Sequence, residues 1–194
     1  MKIGLVCFDE MEELDLVGPW EVLRMWQIQH PEDGVEVFTA SLDGETVTCA
    51  KGMRIVTDMP TAEMGEVDVL LLPGGRGTRA LMTDDAALDF IRAHAGNGTL
   101  MTSVCTGSLV FAAAGLLENR PATTYWSALD LLQSLDDTIE IRADDRFVDS
   151  GEVITASGVS AGIDMALHLV ARLHSTERAK QVRREIQYDP KPPV

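Results

Sequence analysis

Thr99-Leu100-Met101-Thr102-Ser103-Val104-Cys105-Thr106-Gly107-Ser108 runs from an apolar, β-branched stretch into small helix-forming residues. That pattern reads as a strand that turns sharply into a helix, with Cys105 at the bend. A side chain there stands over the carboxyl edge of a sheet and faces the unpaired N–H groups of the helix. Those groups favour a thiolate, which makes Cys105 a candidate nucleophile. A cysteine taken at random is more often a buried packing residue. Here Gly107 and Ser108 allow close backbone approach, and Thr106 offers a backbone N–H and a hydroxyl to charge developing on an adduct. Cys7 and Cys49 lie in β-like runs and read as packing residues.

Working outward, strands are expected over residues 2–8 and 36–40, and a hairpin over 46–55 with Gly52 at its bend. Residues 67–72 are nearly all apolar, the mark of a central strand covered on both faces. It stops at Pro73-Gly74-Gly75. Helices are expected from Pro19, placed in the first turn, and over 86–95, 107–114, 127–134, 161–173 and 176–186. Ser160 is expected to cap the helix that follows it. Further short strands are expected over 122–124, 146–149 and 153–156. Residues 189–193 read as an extended, proline-rich tail. Strands alternating with helices make an α/β fold of three layers around a mainly parallel sheet, as one domain over residues 1–194. Active sites in such folds lie beyond the carboxyl ends of the strands. The stretch around Asp15, the Gly74-Gly75 turn and Cys105 all fall there.

The chain has 194 residues, 45% hydrophobic and 24% charged, ample for a sizeable core. Its net charge of −15 repels nucleic acid and anionic membranes, so neither is expected as a partner. That charge suits a soluble cytoplasmic protein, one that tolerates salt. Met1-Lys2 leads into a short apolar run soon followed by Asp9, Glu10, Glu12 and Glu13, so no signal peptide is expected. No run reaches the ~20 apolar residues of a membrane span. Three cysteines without a CxxC pair suggest a reducing compartment. They and the four histidines show no metal-ligand spacing, and neither a Walker motif nor GxGxxG is present; no metal and no cofactor are expected.

Asp15 has two readings. It is a first-turn or capping carboxylate, or it is a carboxyl pushed toward the thiol, with its pKa raised so that it passes a proton near neutrality. Gly74 and Gly75 are turn glycines, and their N–H groups are candidate donors to substrate. Tyr125 and Trp126 either belong to a core or interface or wall a pocket, with one hydroxyl to donate. Asp164 and His168 need only structural roles.

These stretches resemble the DJ-1/PfpI family of the class I glutamine amidotransferase-like superfamily. The resemblance rests on Leu14-Asp15-Leu16-Val17-Gly18-Pro19, Leu72-Pro73-Gly74-Gly75, Thr102 to Ser108, Ala113-Ala114-Gly115-Leu116-Leu117, Thr123-Thr124-Tyr125-Trp126, Ala161-Gly162-Ile163-Asp164 and Tyr188-Asp189-Pro190. It implies a flavodoxin-like sandwich, a homodimer with the active site near the interface, and Cys105 as nucleophile. It also implies Asp15 as acid and base, where many members carry glutamate, and Thr106 as the threonine after the nucleophile. The family commonly has a histidine where this chain has Tyr125, so a Cys–His pair is not expected. The implied activity is hydration of an isocyanide to an N-substituted formamide. Asp15 supplies a proton as Cys105 adds, then activates water against the thioimidate. The alternatives are a glyoxalase- or deglycase-like enzyme acting on reactive aldehydes, a cysteine-based oxidation sensor and, more weakly, amidotransfer from glutamine.

Overall fold

A computed structural model describes residues 1–42 and 44–190. The elements run β1 (Lys2–Cys7), α1 (Glu13–Gln29), β2 (Glu36–Ser41), β3 (Thr46–Thr48), β4 (Arg54–Val56), β5 (Met59–Pro60) and β6 (Val69–Leu72). They continue α2 (Thr78–Leu81), α3 (Asp85–Gly96), β7 (Leu100–Val104), α4 (Gly107–Ala113), β8 (Pro121–Ala122), α5 (Leu129–Leu135) and β9 (Glu140–Ile141). The last are β10 (Phe147–Asp149), β11 (Val153–Ala156), α6 (Ala161–Leu173) and α7 (Thr176–Glu185).

The main sheet has the order β10-β11-β7-β6-β1-β2-β5. Every neighbouring pair in it is parallel except β10 with β11. Helices α1, α6 and α7 pack together, as do α3, α4 and α5 in a second group. This is the expected α/β sandwich. Its centre follows from composition: β1, β6 and β7 carry Ile3, Leu5, Val69, Leu70, Leu71 and Met101, all buried because helices cover both faces. The chain leaves β1 toward β2 on one side and returns to β6 on the other. The crevice at that switch point is where the site forms.

The structure departs from expectation in three places. Helix α1 begins at Glu13, not Pro19, with Glu12 as its extended N-cap. Pro19 lies inside the helix, where its missing N–H leaves the Asp15 carbonyl without its usual i+4 donor. Ser160 does not cap α6; its Oγ accepts from Arg146 at 3.3 Å. Strand β8 pairs with β9 in a separate two-stranded sheet rather than joining the main one. The tail expected over 189–193 lies outside the described residues beyond Pro190.

The site is positioned by register. Leu72 pairs with Ser103, so β6 and β7 end side by side and Gly74 abuts the Cys105 turn. A Cβ on Gly74 would come within 2.5 Å of the Thr106 nitrogen and 2.8 Å of the Cys105 Cβ, so only glycine fits. The segment before α1 is clipped to the same turn: Glu12 N–H donates to the Gly74 carbonyl at 2.8 Å, and Met11 bridges Gly75. Close packing also sets the depth of α1. Gly18 faces Ile163, and Gly162 faces Pro19 and Val104.

Candidate active site

Cys105 adopts φ 55°, a left-handed conformation rare for a residue with a side chain. Three hydrogen bonds hold the elbow: Cys105 N–H donates to the Ala156 carbonyl at 3.0 Å, and its own carbonyl accepts from Thr124 Oγ1 at 2.9 Å and Ser108 Oγ at 3.0 Å. The strained turn is thus imposed by β11 and by the hydroxyls of two neighbouring segments. Val159, itself at φ 45°, and Thr106 hydrogen-bond the thiol through their backbones.

Those contacts do not produce the expected thiolate. Burial and then the charge of Asp15 push the Cys105 thiol up to about 12, outweighing the hydrogen bonds that pull it down. A turn that favours the anion is overridden by a dry corner shared with a carboxylate.

Asp15 is fully buried in the first turn of α1. It faces inward and does not cap the helix. Its Oδ2 accepts the Gly74 N–H at 2.9 Å. Oδ1 makes no hydrogen bond among the described residues; the side chains that act on the carboxyl are Glu12, whose charge raises it, and the Cys105 thiol and Lys51, which lower it. Burial raises the carboxyl to about 7 against the pull of Gly74 N–H and the thiol. Asp15 is a first-turn carboxylate and also one that faces the thiol, so the two readings meet in one residue.

The cleft above this pair has a volume of about 1090 Å³. Cys105, Thr106, Gly75, Val159, Tyr125 and Ser127 line it, together with the apolar Leu14, Ala50 and Met53. Five charged residues also line it: Glu12, Glu13, Lys51, Arg76 and Arg79. Lys51 pairs with Glu12 and lies 3.6 Å from Glu13.

Two expected donors are already engaged. The Gly74 N–H serves Asp15, and the Gly75 N–H donates to Thr106 Oγ1 at 2.9 Å. Thr106 Oγ1 also receives the Thr78 hydroxyl at 3.2 Å. The two glycine amides therefore position the carboxyl and the threonine instead of reaching into the cleft. Tyr125 lines the cleft, its ring pressed on Gly158, and its hydroxyl has no hydrogen-bond partner among the described residues. Trp126 does not reach the cleft. It is 73% exposed and touches the site only through Tyr125, at a ring separation of 5.6 Å. No histidine lines the cleft. His168 pairs with Asp149 at 2.8 Å, and Asp164 with Arg146 at 2.5 Å. Among the described residues no cluster of three His, Cys, Asp or Glu side chains could hold a metal.

Sequence reasoning missed Thr124, Ser108, Thr78, Val159, Lys51, Arg76 and Arg79. The hydroxyls carried a faint signal in the Thr123-Thr124 pair at a strand end. Val159 carried none, because a β-branched residue is the least expected at positive φ.

The DJ-1/PfpI family signature matches residues 1–172. The chain belongs to the DJ-1/PfpI family. Isonitrile hydratase of Pseudomonas putida is 39% identical over 193 residues, covering 100% of this chain and 81% of that protein. The HTH-type transcriptional regulator GbdR of Pseudomonas aeruginosa is 29% identical over 188 residues, and the chain spans only 51% of its length. A crystal structure of a THiJ/PfpI family protein from Pseudomonas syringae superposes with a TM-score of 0.89 at 32% identity, covering 100% of this chain and 77% of that one. An enzymatic role fits this family membership.

Proposed function

We propose that this protein hydrates isocyanides to N-substituted formamides. One observation carries the reading: a fully buried carboxyl titrating near 7 sits against the nucleophile candidate, and no histidine lines the cleft. The likeness to an isonitrile hydratase along the whole chain supports it.

The reactive form is the pair carrying one proton, held at rest by the thiol because its pKa exceeds that of Asp15. Asp15 takes that proton and delivers it to the isocyanide carbon as Sγ bonds the same carbon. The product is a thioimidate, R–N=CH–S, and Asp15 is again a carboxylate. It then draws a proton from water, whose oxygen attacks the thioimidate carbon, and passes that proton to nitrogen. The tetrahedral adduct collapses: the C–S bond breaks, the carbonyl forms, and the hydroxyl proton returns through Asp15 to sulfur. R–N≡C and H2O become R–NH–CHO, with no proton or electron left over. Thr106, held by Gly75 and Thr78, orients the adduct.

The test is turnover of an alkyl isocyanide, with formamide followed by NMR, in the unmodified protein, Cys105→Ala and Asp15→Asn. Formamide production lost in both variants is the expected result. Activity persisting in Cys105→Ala refutes the reading, and methylglyoxal consumption without isocyanide turnover replaces it with aldehyde chemistry.

A further inference from the structure

Resting on the hydratase reading of the site, we propose that the preferred substrates are isocyanides bearing a carboxylate, held by Arg76 and Arg79. Both residues line the cleft that contains Cys105. They come from the turn that follows Gly75 and from α2, so they share a scaffold with Thr106 and the elbow.

Neither arginine has a carboxylate partner among the described residues. Arg79 uses Nη1 alone, donating to the Gly75 carbonyl at 3.2 Å and to Thr78 Oγ1 at 3.0 Å. Thr78 Oγ1 in turn donates to Thr106 Oγ1 at 3.2 Å. Arg79 is thus held two hydrogen bonds from the residue after the nucleophile, with Nη2 and Nε unengaged by the described residues. Arg76 is exposed and makes no ion pair or hydrogen bond among them.

This is an unusual place to leave two cations unpaired. The chain has 31 acidic and 16 basic residues. Of the other ten arginines, Arg92, Arg120, Arg142, Arg146, Arg172, Arg178 and Arg183 meet a carboxylate among the described residues, and Arg24, Arg54 and Arg184, none of which lines the cleft, do not. Among the residues lining the cleft, Glu12 and Glu13 share Lys51, and with Arg76 and Arg79 the lining holds an excess of one positive charge, inside a protein of charge −15. A neutral alkyl isocyanide needs only the apolar wall of Leu14, Ala50 and Met53 and has no use for two guanidiniums. A planar carboxylate matches their fork of donors, and guanidinium keeps its charge at any working pH.

The decisive comparison is isocyanoacetate against its methyl ester, which differ only in the charge to be recognised. The kcat/KM ratio of acid to ester is expected to exceed 10. It should fall at least tenfold in Arg76→Gln and in Arg79→Gln, recover in part in Arg76→Lys, and shrink as salt rises to 0.5 M. A ratio at or below one, or one that neither glutamine variant changes, overturns the proposal. If neither isocyanide is turned over, the hydratase reading fails. The anion site is then read by calorimetry with N-formylglycine: binding that weakens at least tenfold in the double glutamine variant upholds it, and absence of binding overturns it.

Discussion

The Cys105 thiol interacts with the Asp15 carboxylate, and the charge on Asp15 in turn pushes the thiol up to about 12 while the carboxyl settles at about 7. The two groups behave as one titrating unit. On the proposed mechanism the singly protonated pair is the reactive form, so kcat/KM should be flat above pH 7 and fall about tenfold per pH unit below it. Asp15→Asn should lower kcat by roughly 10²–10⁴ and abolish that acid limb. A pH–rate profile of both proteins checks this.

The same carboxyl costs stability. The folded chain keeps the Asp15 proton up to about pH 7, whereas the unfolded chain sheds it near the ordinary aspartate value of about 3.9. Stability contributed by this group therefore falls as pH rises through that window and stays low above it. Asp15→Asn removes the ionisation and should stabilise the fold at pH 8 by on the order of 2 kcal/mol, with little effect at pH 3.5. Urea denaturation at the two pH values measures the difference.

At pH 7.5 the resting thiol of Cys105 should react with iodoacetamide about 10³-fold more slowly than an unperturbed cysteine, the rate climbing tenfold per pH unit. Removing the adjacent negative charge in Asp15→Asn should speed the reaction. Peptide mass spectrometry separates Cys105 from Cys7 and Cys49, both buried and raised as well.

A Cβ on Gly158 would meet Tyr125 Cδ2 at 2.6 Å, closer than two carbons tolerate. Gly158→Ala should drive the ring from its place on the cleft wall. Substrate KM is expected to change severalfold with a smaller effect on kcat, since the Asp15–Cys105 contact does not involve that ring.

Far from the cleft, Asp33 ties α1 to α7. It accepts from Trp26 Nε1 at 2.6 Å and pairs with Arg178 at 2.7 Å. Burial opposes its ionisation, but these donors win and hold the carboxyl below its usual range. That contribution is present at neutral pH and lost as pH falls through the lowered value. Asp33→Asn should destabilise the protein at pH 7, because Arg178 loses this carboxylate and keeps only Glu32 as an anionic partner, and by much less near pH 3. Thermal melts at both pH values test it.

The sheet was legible because its central strands are continuous apolar runs, and β6 and β7 need no long-range information to be recognised. The start of α1 was not. Pro19 is a strong first-turn signal, yet packing of Gly18 and Pro19 on α6 lets the helix absorb the proline and begin at Glu13. Cys105 announced itself through its flanks. Its protonation state did not, because helix N-termini are visible in sequence whereas burial beside Asp15 is a property of two distant segments. Gly74 and Gly75 were read as turn glycines whose amides reach a substrate, and their amides donate elsewhere. Only the register of β6 against β7 shows that their amides point inward to Asp15 and Thr106.

A sulfur that keeps its proton at rest is also a poor target for hydrogen peroxide, since oxidation to the sulfenic and sulfinic acids begins from the thiolate. The corner expected to slow iodoacetamide is expected to shelter Cys105 from peroxide as well. On the proposed mechanism its proton leaves only as a ligand receives it, so vulnerability and turnover would fall in the same moment.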